Sequence, residues 1–347
     1  MATEIRPRLT QEEYDWFLAN RHKIDQSTPP DHIIKGVSTL FDADGSVKLQ
    51  WHKTAVDKQE LVRQTREICE ALADGVKPVK ATKPPKGVIK DHLTVYPMGD
   101  PHIGLYSWAK ETGEDFDCDI AERNLVAATS LLTANALPTE QAVIVNLGDF
   151  FHSDNLENRT ARSGHALDVD SRWPRVVRVG VRAMVSCIQA ALEKHKTVHV
   201  YNVIGNHDDQ SAMMLSMILE AYYRKESRVV IDDGVSAFGK FRFGKVLLGF
   251  HHGHNVKMEA LPGVMASEWA EDWGQTQHRY WLTGHIHHQQ SKDLPGCKVE
   301  SFRTLAARDA WAASKGYLSP RDMHRITYHK DYGERGREIV PVGMLDG

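Results

Sequence analysis

From residue 91 onward, short apolar runs alternate with longer stretches in which apolar residues recur every three or four positions. The runs "LTVYPM", "AVIVNL", "VHVYNVI", "FRFGKVLLGF" and "RYWLT" predict strands. The stretches "DIAERNLVAATSLLTANAL", "RVVRVGVRAMVSCIQAALEKH" and "AMMLSMILEAYYRK" predict helices, with Asp119 as the expected N-cap of the first. Strand and helix in alternation define an α/β protein. The chain before residue 91 has a different texture. "LTQEEYDWFLANR" opens with Thr10 and Glu13, a capping box for a short helix. "STLFDADGSVKLQWH" reads as a hairpin turning on Asp-Gly. "TAVDKQELVRQTREICEALADG" carries Val56, Leu61, Ile68 and Leu72 on one helical face and ends at Gly75. "VKPVKATKPPKG" is a linker by its prolines, with a positive stripe of Lys77, Lys80, Lys83, Lys86 and Lys90. The expected organisation is an N-terminal accessory region over 1–76, a linker over 77–90, a catalytic domain over 91–310 and a C-terminal extension over 311–347, read as an ordinary closing strand.

Composition narrows the class only a little. The 347 residues are 41% hydrophobic and 26% charged, enough for a sizeable core. A net charge of -3 gives no overall electrostatic case for or against nucleic acid. No apolar run approaches the ~18 residues of a membrane span. "MATEIRPRLTQEEYDW" lacks the apolar core of a secretory signal, so the expected location is cytoplasmic. The four cysteines are scattered, without a Cys-x-x-Cys pair, and are expected as free thiols. The unusual count is 19 histidines, and they cluster.

The clusters fall where the strands end. "LTVYPM" runs into "GDPHIG", with Asp100 and His102; "AVIVNL" into "GDFFH", with Asp149 and His152. "VHVYNVI" runs into "GNHDD", with Asn206, His207 and Asp208. "KVLLGF" is followed by "HHGH", with His251, His252 and His254, and "RYWLT" by "GHIHH", with His285, His287 and His288. Open α/β sheets gather their sites along this edge. Glycine precedes the key residue in four of the five motifs, which permits a tight turn and close backbone approach. Carboxylate, imidazole and amide oxygen suit divalent ions such as manganese, iron or zinc. Asp-x-His and His-x-His can each present two donors from one extended stretch. One carboxylate can serve two ions about 3.5–4 Å apart.

The ordered series D-x-H, G-D, G-N-H-D, H-G-H and G-H-x-H resembles the calcineurin-like metallophosphoesterases over about residues 93–305. The resemblance implies a four-layer α/β/β/α sandwich with a small N-terminal arm. It implies that Asp100, His102, Asp149 and His287 hold one metal, and that Asp149, Asn206, His252 and His285 hold the other. His252 is chosen because the family's ligand directly precedes the glycine; His251 is the rival. His207 would protonate or stabilise the leaving oxygen, and Asp208 would orient His207. The cofactors implied are two divalent ions, manganese first, with iron, zinc, nickel or magnesium as alternatives. The reaction implied is phosphoester hydrolysis by a hydroxide that the two ions would hold. Loss of Asp149 should disrupt both metals; loss of His207 should spare metal binding and reduce turnover.

Two features bear on the substrate. A histidine three residues after the shared aspartate, His152, is similar to the second motif of SbcD-type DNA nucleases, where that residue touches the phosphodiester. The loop that follows offers Asn155, Arg159 and Arg162 as substrate contacts, with His165, Arg172 and Arg175 further along. The expected activity is therefore that of a phosphodiesterase or nuclease on DNA or nucleotides. A phosphomonoesterase and a non-catalytic scaffold are the alternatives. The layout of arm and compact core is also similar to phage-encoded metallophosphoesterases. Packing of the arm on a second subunit would make a homodimer; no membrane partner is expected.

Overall fold

A computed structural model of the protein describes residues 32–42, 44–56, 82–160, 164–233 and 235–345. The chain forms two compact units, Met1–Ile68 and Cys69–Gly347. In the first, β1 (His32–Phe41) and β2 (Val47–Val56) pair antiparallel, the hairpin its sequence predicts. Gly45 takes φ 84° at the turn, and Asp44 accepts from the amide and hydroxyl of Ser46. Residues 54–56, expected to open a helix, belong to β2. The rest of that helix, the capping-box helix and linker residues 77–81 lie outside the described residues.

The second unit runs β3 (Ile89–Met98), α1 (Ala109–Thr112), α2 (Cys118–Ala134), β4 (Thr139–Asn146), α3 (Trp173–Lys194), β5 (Thr197–Asn202), α4 (Asp209–Tyr223), β6 (Val229–Ile231), β7 (Gly239–Phe243) and β8 (Val246–His251). It continues with α5 (Leu261–Glu268), α6 (Ala270–Gln275), β9 (His278–Thr283), β10 (Gln290–Leu294), β11 (Cys297–Ser301), α7 (Ala310–Ser314), β12 (Asp322–His329) and β13 (Gly333–Pro341). One sheet has the order β13-β12-β3-β4-β5-β6, the other β10-β11-β9-β8-β7. Strands β3 to β6 are parallel, as are β8, β9 and β11.

Side-chain alternation builds the layers. On β3 and β4, Leu93, Val95, Val143 and Val145 meet Leu248, Phe250 and Leu282 of the second sheet. Their neighbours Tyr96, Met98, Ala142 and Ile144 turn the other way, onto α2, α3 and α4. On the far side, Leu247, Trp281 and Val299 face Leu261 and Met265 of α5. The unit is thus an α/β/β/α sandwich. Each fully buried Leu or Phe contributes roughly 1.5–3 kcal/mol to holding it. Cys118, Cys187 and Cys297 are buried and unpaired.

Three expectations change. The cap of α2 is Asp117, whose carboxylate accepts from Ile120 N at 2.7 Å; Asp119 lies inside the first turn. "FRFGKVLLGF" is two antiparallel strands, because Gly244 turns the chain at φ 58° and Phe243 pairs with Val246. Residues 311–347, expected as an extension that forms an ordinary closing strand, supply two strands, β12 and β13, and β12 pairs directly with β3 inside the six-stranded sheet.

Candidate metal centre

Parallel strands released at one edge bring their following loops together. Asp100 and His102 follow β3, Asp149 follows β4, and Asn206, His207 and Asp208 follow β5. His252 follows β8, and His285 and His287 follow β9, so the second sheet delivers the remaining imidazoles. The backbone there is unusual. Of the six non-glycine residues with positive φ among the described residues, five are Asp100, His102, Asp149, His285 and His287, at 43° to 73°. Such conformations cost about 1–3 kcal/mol each and persist only where the surroundings fix them. The motif glycines work mainly by close approach. A Cβ on Gly205 would stand 2.0 Å from Asp149 Oδ1, one on Gly284 2.6 Å from Asp100 Oδ2, and one on Gly148 2.5 Å from His252 Nδ1.

The donors form adjoining sets. Asp100, His102 and His287 make one, and Asp149, His252 and His285 the second; within each, one donor atom per residue lies within 4.8 Å of the others. In the first set His102 Nε2 faces His287 Nε2 at 3.1 Å, and His287 Nε2 lies 3.5 Å from Asp100 Oδ1. In the second, His252 Nε2 is 3.1 Å from both Asp149 Oδ2 and Asn206 Oδ1, which adds Asn206 to the set. The sets touch: His285 N donates to both oxygens of Asp100 at 2.9 Å. Thr304 Oγ1 donates to the carbonyl of Asp100 at 2.5 Å and fixes it from behind.

Electrostatics show what the pocket asks for. Burial works to raise Asp149, yet the His252, His207 and His102 imidazoles together outweigh it and hold the carboxyl well below its usual range. Burial works to lower His252, yet Asp149 and Asp100 lift it to about 10. Two buried carboxylates therefore draw positive charge to this point. His102 is held well below its ordinary value by burial and by His287 and His207, and burial with His252 lowers His285. Neutral imidazoles are the form that ligates a metal. His252 Nδ1 meets the Leu147 carbonyl at 2.8 Å, an outer bond of the kind that aims the other ring nitrogen at an ion. Carboxylate, amide oxygen and imidazole converging in this way fit divalent ions well. His251 is directed elsewhere: its ring stacks on Phe238 at 4.9 Å, and its Nδ1 accepts from Gly253 N.

A third imidazole set joins His102 to His152 and His207. His152 Nδ1 lies 3.1 Å from His102 Nδ1, and its Nε2 is buried without a hydrogen-bond partner. Burial and His207 drop its pKa to about 3. His207 Nδ1 donates to the His152 carbonyl at 2.9 Å, and that carbonyl orients the ring. Asp208, expected to do so, does something else. It accepts from the amides of Asp149, Phe151 and Gly205 at 3.2, 3.1 and 3.0 Å, pinning the loop that carries Asp149. Burial and Asp149 push its pKa well up, against the pull of the Phe151 amide.

Two of the expected substrate contacts make local bonds within their own loop. Asn155 Oδ1 accepts from Glu157 N in a local turn, and Arg159 Nη1 donates to the Gly164 carbonyl. Arg162 lies outside the described residues. Sequence reading missed Asp154, whose buried carboxylate accepts from Gln210 N, Ser211 N and Ser211 Oγ and caps α4 from another loop. "GDFFHSD" held it in plain sight, but a trans cap has no spacing rule.

Fold and donor sets together define the class: a four-layer sandwich with paired carboxylate–imidazole clusters at one edge, the arrangement that the resemblance to the calcineurin-like metallophosphoesterases implies. No family model and no curated protein matches the chain. Among solved structures, it is similar to a predicted phosphoesterase from Streptococcus pneumoniae (9% identity, TM-score 0.30, covering 72% of this chain and 98% of that one). It is similar also to zinc-complexed Vps29 from Entamoeba histolytica (13%, 0.28, 72% and 99%). A third is a putative 5'-nucleotidase from Staphylococcus aureus (12%, 0.34, 72% and 54%). Likeness at this level says nothing about substrate.

Proposed function

We propose that the protein is a phosphoester hydrolase dependent on two divalent metal ions, manganese foremost, acting on phosphodiesters of DNA or nucleotides. The observation that carries this reading is the pair of touching carboxylate–imidazole sets. Asp100, His102, Asp149 and His287 would hold one ion; Asp149, Asn206, His252 and His285 would hold the other. Bound there, such ions would acidify a water and offset the charge of a phosphate ester. The chain's own contribution to leaving-group departure is His207. Its Nδ1–H is tied to the His152 carbonyl, which leaves Nε2 as the ring atom free to face a leaving alkoxide, and a proton taken up there would pass to that oxygen. The unpartnered Nε2 of His152 supports the diester reading, since it would bond a phosphate oxygen beside His207.

The test is a paired assay on metal-stripped protein reloaded with manganese. Bis-p-nitrophenyl phosphate should be hydrolysed faster than p-nitrophenyl phosphate, and His207→Ala and Asp149→Ala should abolish most of that activity. Preference for the monoester would make the protein a phosphatase. Loss of neither activity in the variants, or no hydrolysis at all, would overturn the reading.

A further inference from the structure

His102 uses both nitrogens of its ring. Its Nε2 faces His287 Nε2 at 3.1 Å, inside the first donor set, while its Nδ1 lies 3.1 Å from Nδ1 of His152. The backbone holds the two rings in this relation, because the loops after β3 and β4 zip together. His102 N donates to Asp149 O at 3.0 Å, Ile103 N to Phe150 O at 2.8 Å, and His152 N to Ile103 O at 3.0 Å. Both rings are buried, and His207 packs edge-on against His102 and stacks on His152.

Two ring nitrogens at hydrogen-bond distance share one hydrogen. Two hydrogens would clash, and none would set lone pair against lone pair. Which ring carries it decides what both can do, since a neutral imidazole has a single N–H. With the hydrogen on His152, His102 keeps its own on Nε2 and cannot ligate through that atom. With the hydrogen on His102 Nδ1, the Nε2 of His102 is bare and faces the donor set. His152 Nδ1 is then the acceptor, and the hydrogen of that ring must sit on Nε2. This last nitrogen is buried and has no hydrogen-bond partner, so it keeps a donor in reserve.

We propose that His152 positions His102 as a metal ligand by accepting the hydrogen of its Nδ1, and that ligation by His102 in turn fixes His152 as an Nε2–H donor beside His207. An anionic oxygen of a ligand would find that donor only in the tautomer that lets His102 ligate. His152 is thus a positioning residue, acting through His102, and the inference rests on the two-metal reading above.

Two measurements test it: manganese affinity, by calorimetric titration of metal-stripped protein, and imidazole tautomers, by long-range nitrogen–proton correlation spectra of histidine-labelled protein loaded with diamagnetic zinc. His152→Leu removes the acceptor and should weaken manganese binding about 10- to 100-fold. His152→Asn, whose Oδ1 stands where Nδ1 stood, should restore most of it. In the zinc-loaded wild type, His102 should carry its hydrogen on Nδ1 and His152 on Nε2. The wild-type spectra decide the case even if a variant fails to fold. Wild-type affinity in His152→Leu, or equal loss in His152→Leu and His152→Asn, overturns the positioning role, as does a His152 hydrogen found on Nδ1. Wild-type protein that binds no manganese sinks the two-metal reading and this inference with it. Failure to hydrolyse bis-p-nitrophenyl phosphate, with affinities and tautomers as expected, sinks the enzyme reading alone.

Discussion

Asp149 takes φ 50° with its carboxylate in the second donor set. Nothing in an aspartate prefers that conformation, so neighbours must impose it. Asp208 does so through three backbone amides, and Gly205 leaves no room for Asp149 to relax. Asp208 is therefore a positioning residue for Asp149, the proposed metal ligand, acting through the backbone. Asp208→Ala should weaken manganese binding about 10- to 100-fold, read by calorimetric titration. His207→Ala should leave that affinity near wild type. If Asp208→Ala binds manganese normally and loses only turnover, its task is to orient His207 after all. The donors themselves were legible in the sequence, because each follows an apolar run directly. The positive φ angles were not, since they depend on which loops face each other across two sheets. The choice between His251 and His252 stayed open for the same reason: strand parity alone does not say which imidazole turns toward Asp149.

At the scale of elements, the sheets are joined by a buried charge network. Glu300 of β11 receives a fork of bonds from Arg337 of β13 at 2.7 and 3.0 Å, and Arg337 also reaches Glu334 at 2.8 Å. Gln289, at the end of the "GHIHHQQ" loop, bonds to the same carboxylate. Burial acts to raise the pKa of Glu300, but Arg337 and Lys298 outweigh it and hold it low. A carboxyl whose pKa falls on folding stabilises the protein above its unfolded value, ~4.3. That contribution fades as pH falls through the lower folded value. Glu300→Gln should thus cost about 3 kcal/mol at pH 7 and progressively less below pH ~4, measured by urea unfolding at pH 7 and pH 3. An equal loss at both pH values would show that packing, not charge, is what the residue supplies. No local pattern announced this bridge. Glu300 and Arg337 sit on strands of different sheets, and sequence texture reports the period of a strand, not its partner. The same limit explains "FRFGKVLLGF", where an apolar run hid a turn, and the C-terminal residues, whose strands β12 and β13 had no motif to mark them.

For the molecule as a whole, the decisive feature is that the donor sets draw on both sheets. Asp100, His102, Asp149 and Asn206 follow strands of the six-stranded sheet; His252, His285 and His287 follow strands of the five-stranded one. The apolar layer between the sheets holds their faces together, but it ends at this edge, where buried carboxylates and imidazoles take its place. An ion bound there would tie one sheet to the other, and it would bind the folded chain alone, because unfolding separates the ligands. Linkage then makes metal a stabiliser of the fold: at a hundred times its Kd, one ion adds about 2.7 kcal/mol. For a unit of this size that is an upward shift in Tm of roughly 5 °C. Thermal unfolding with excess manganese and with EDTA should differ by that amount. His207→Ala should keep the difference, because it removes none of the proposed ligands, and Asp149→Ala should lose most of it. A full shift in Asp149→Ala would place the bound ion elsewhere on the protein and detach the sandwich's stability from its candidate catalytic edge.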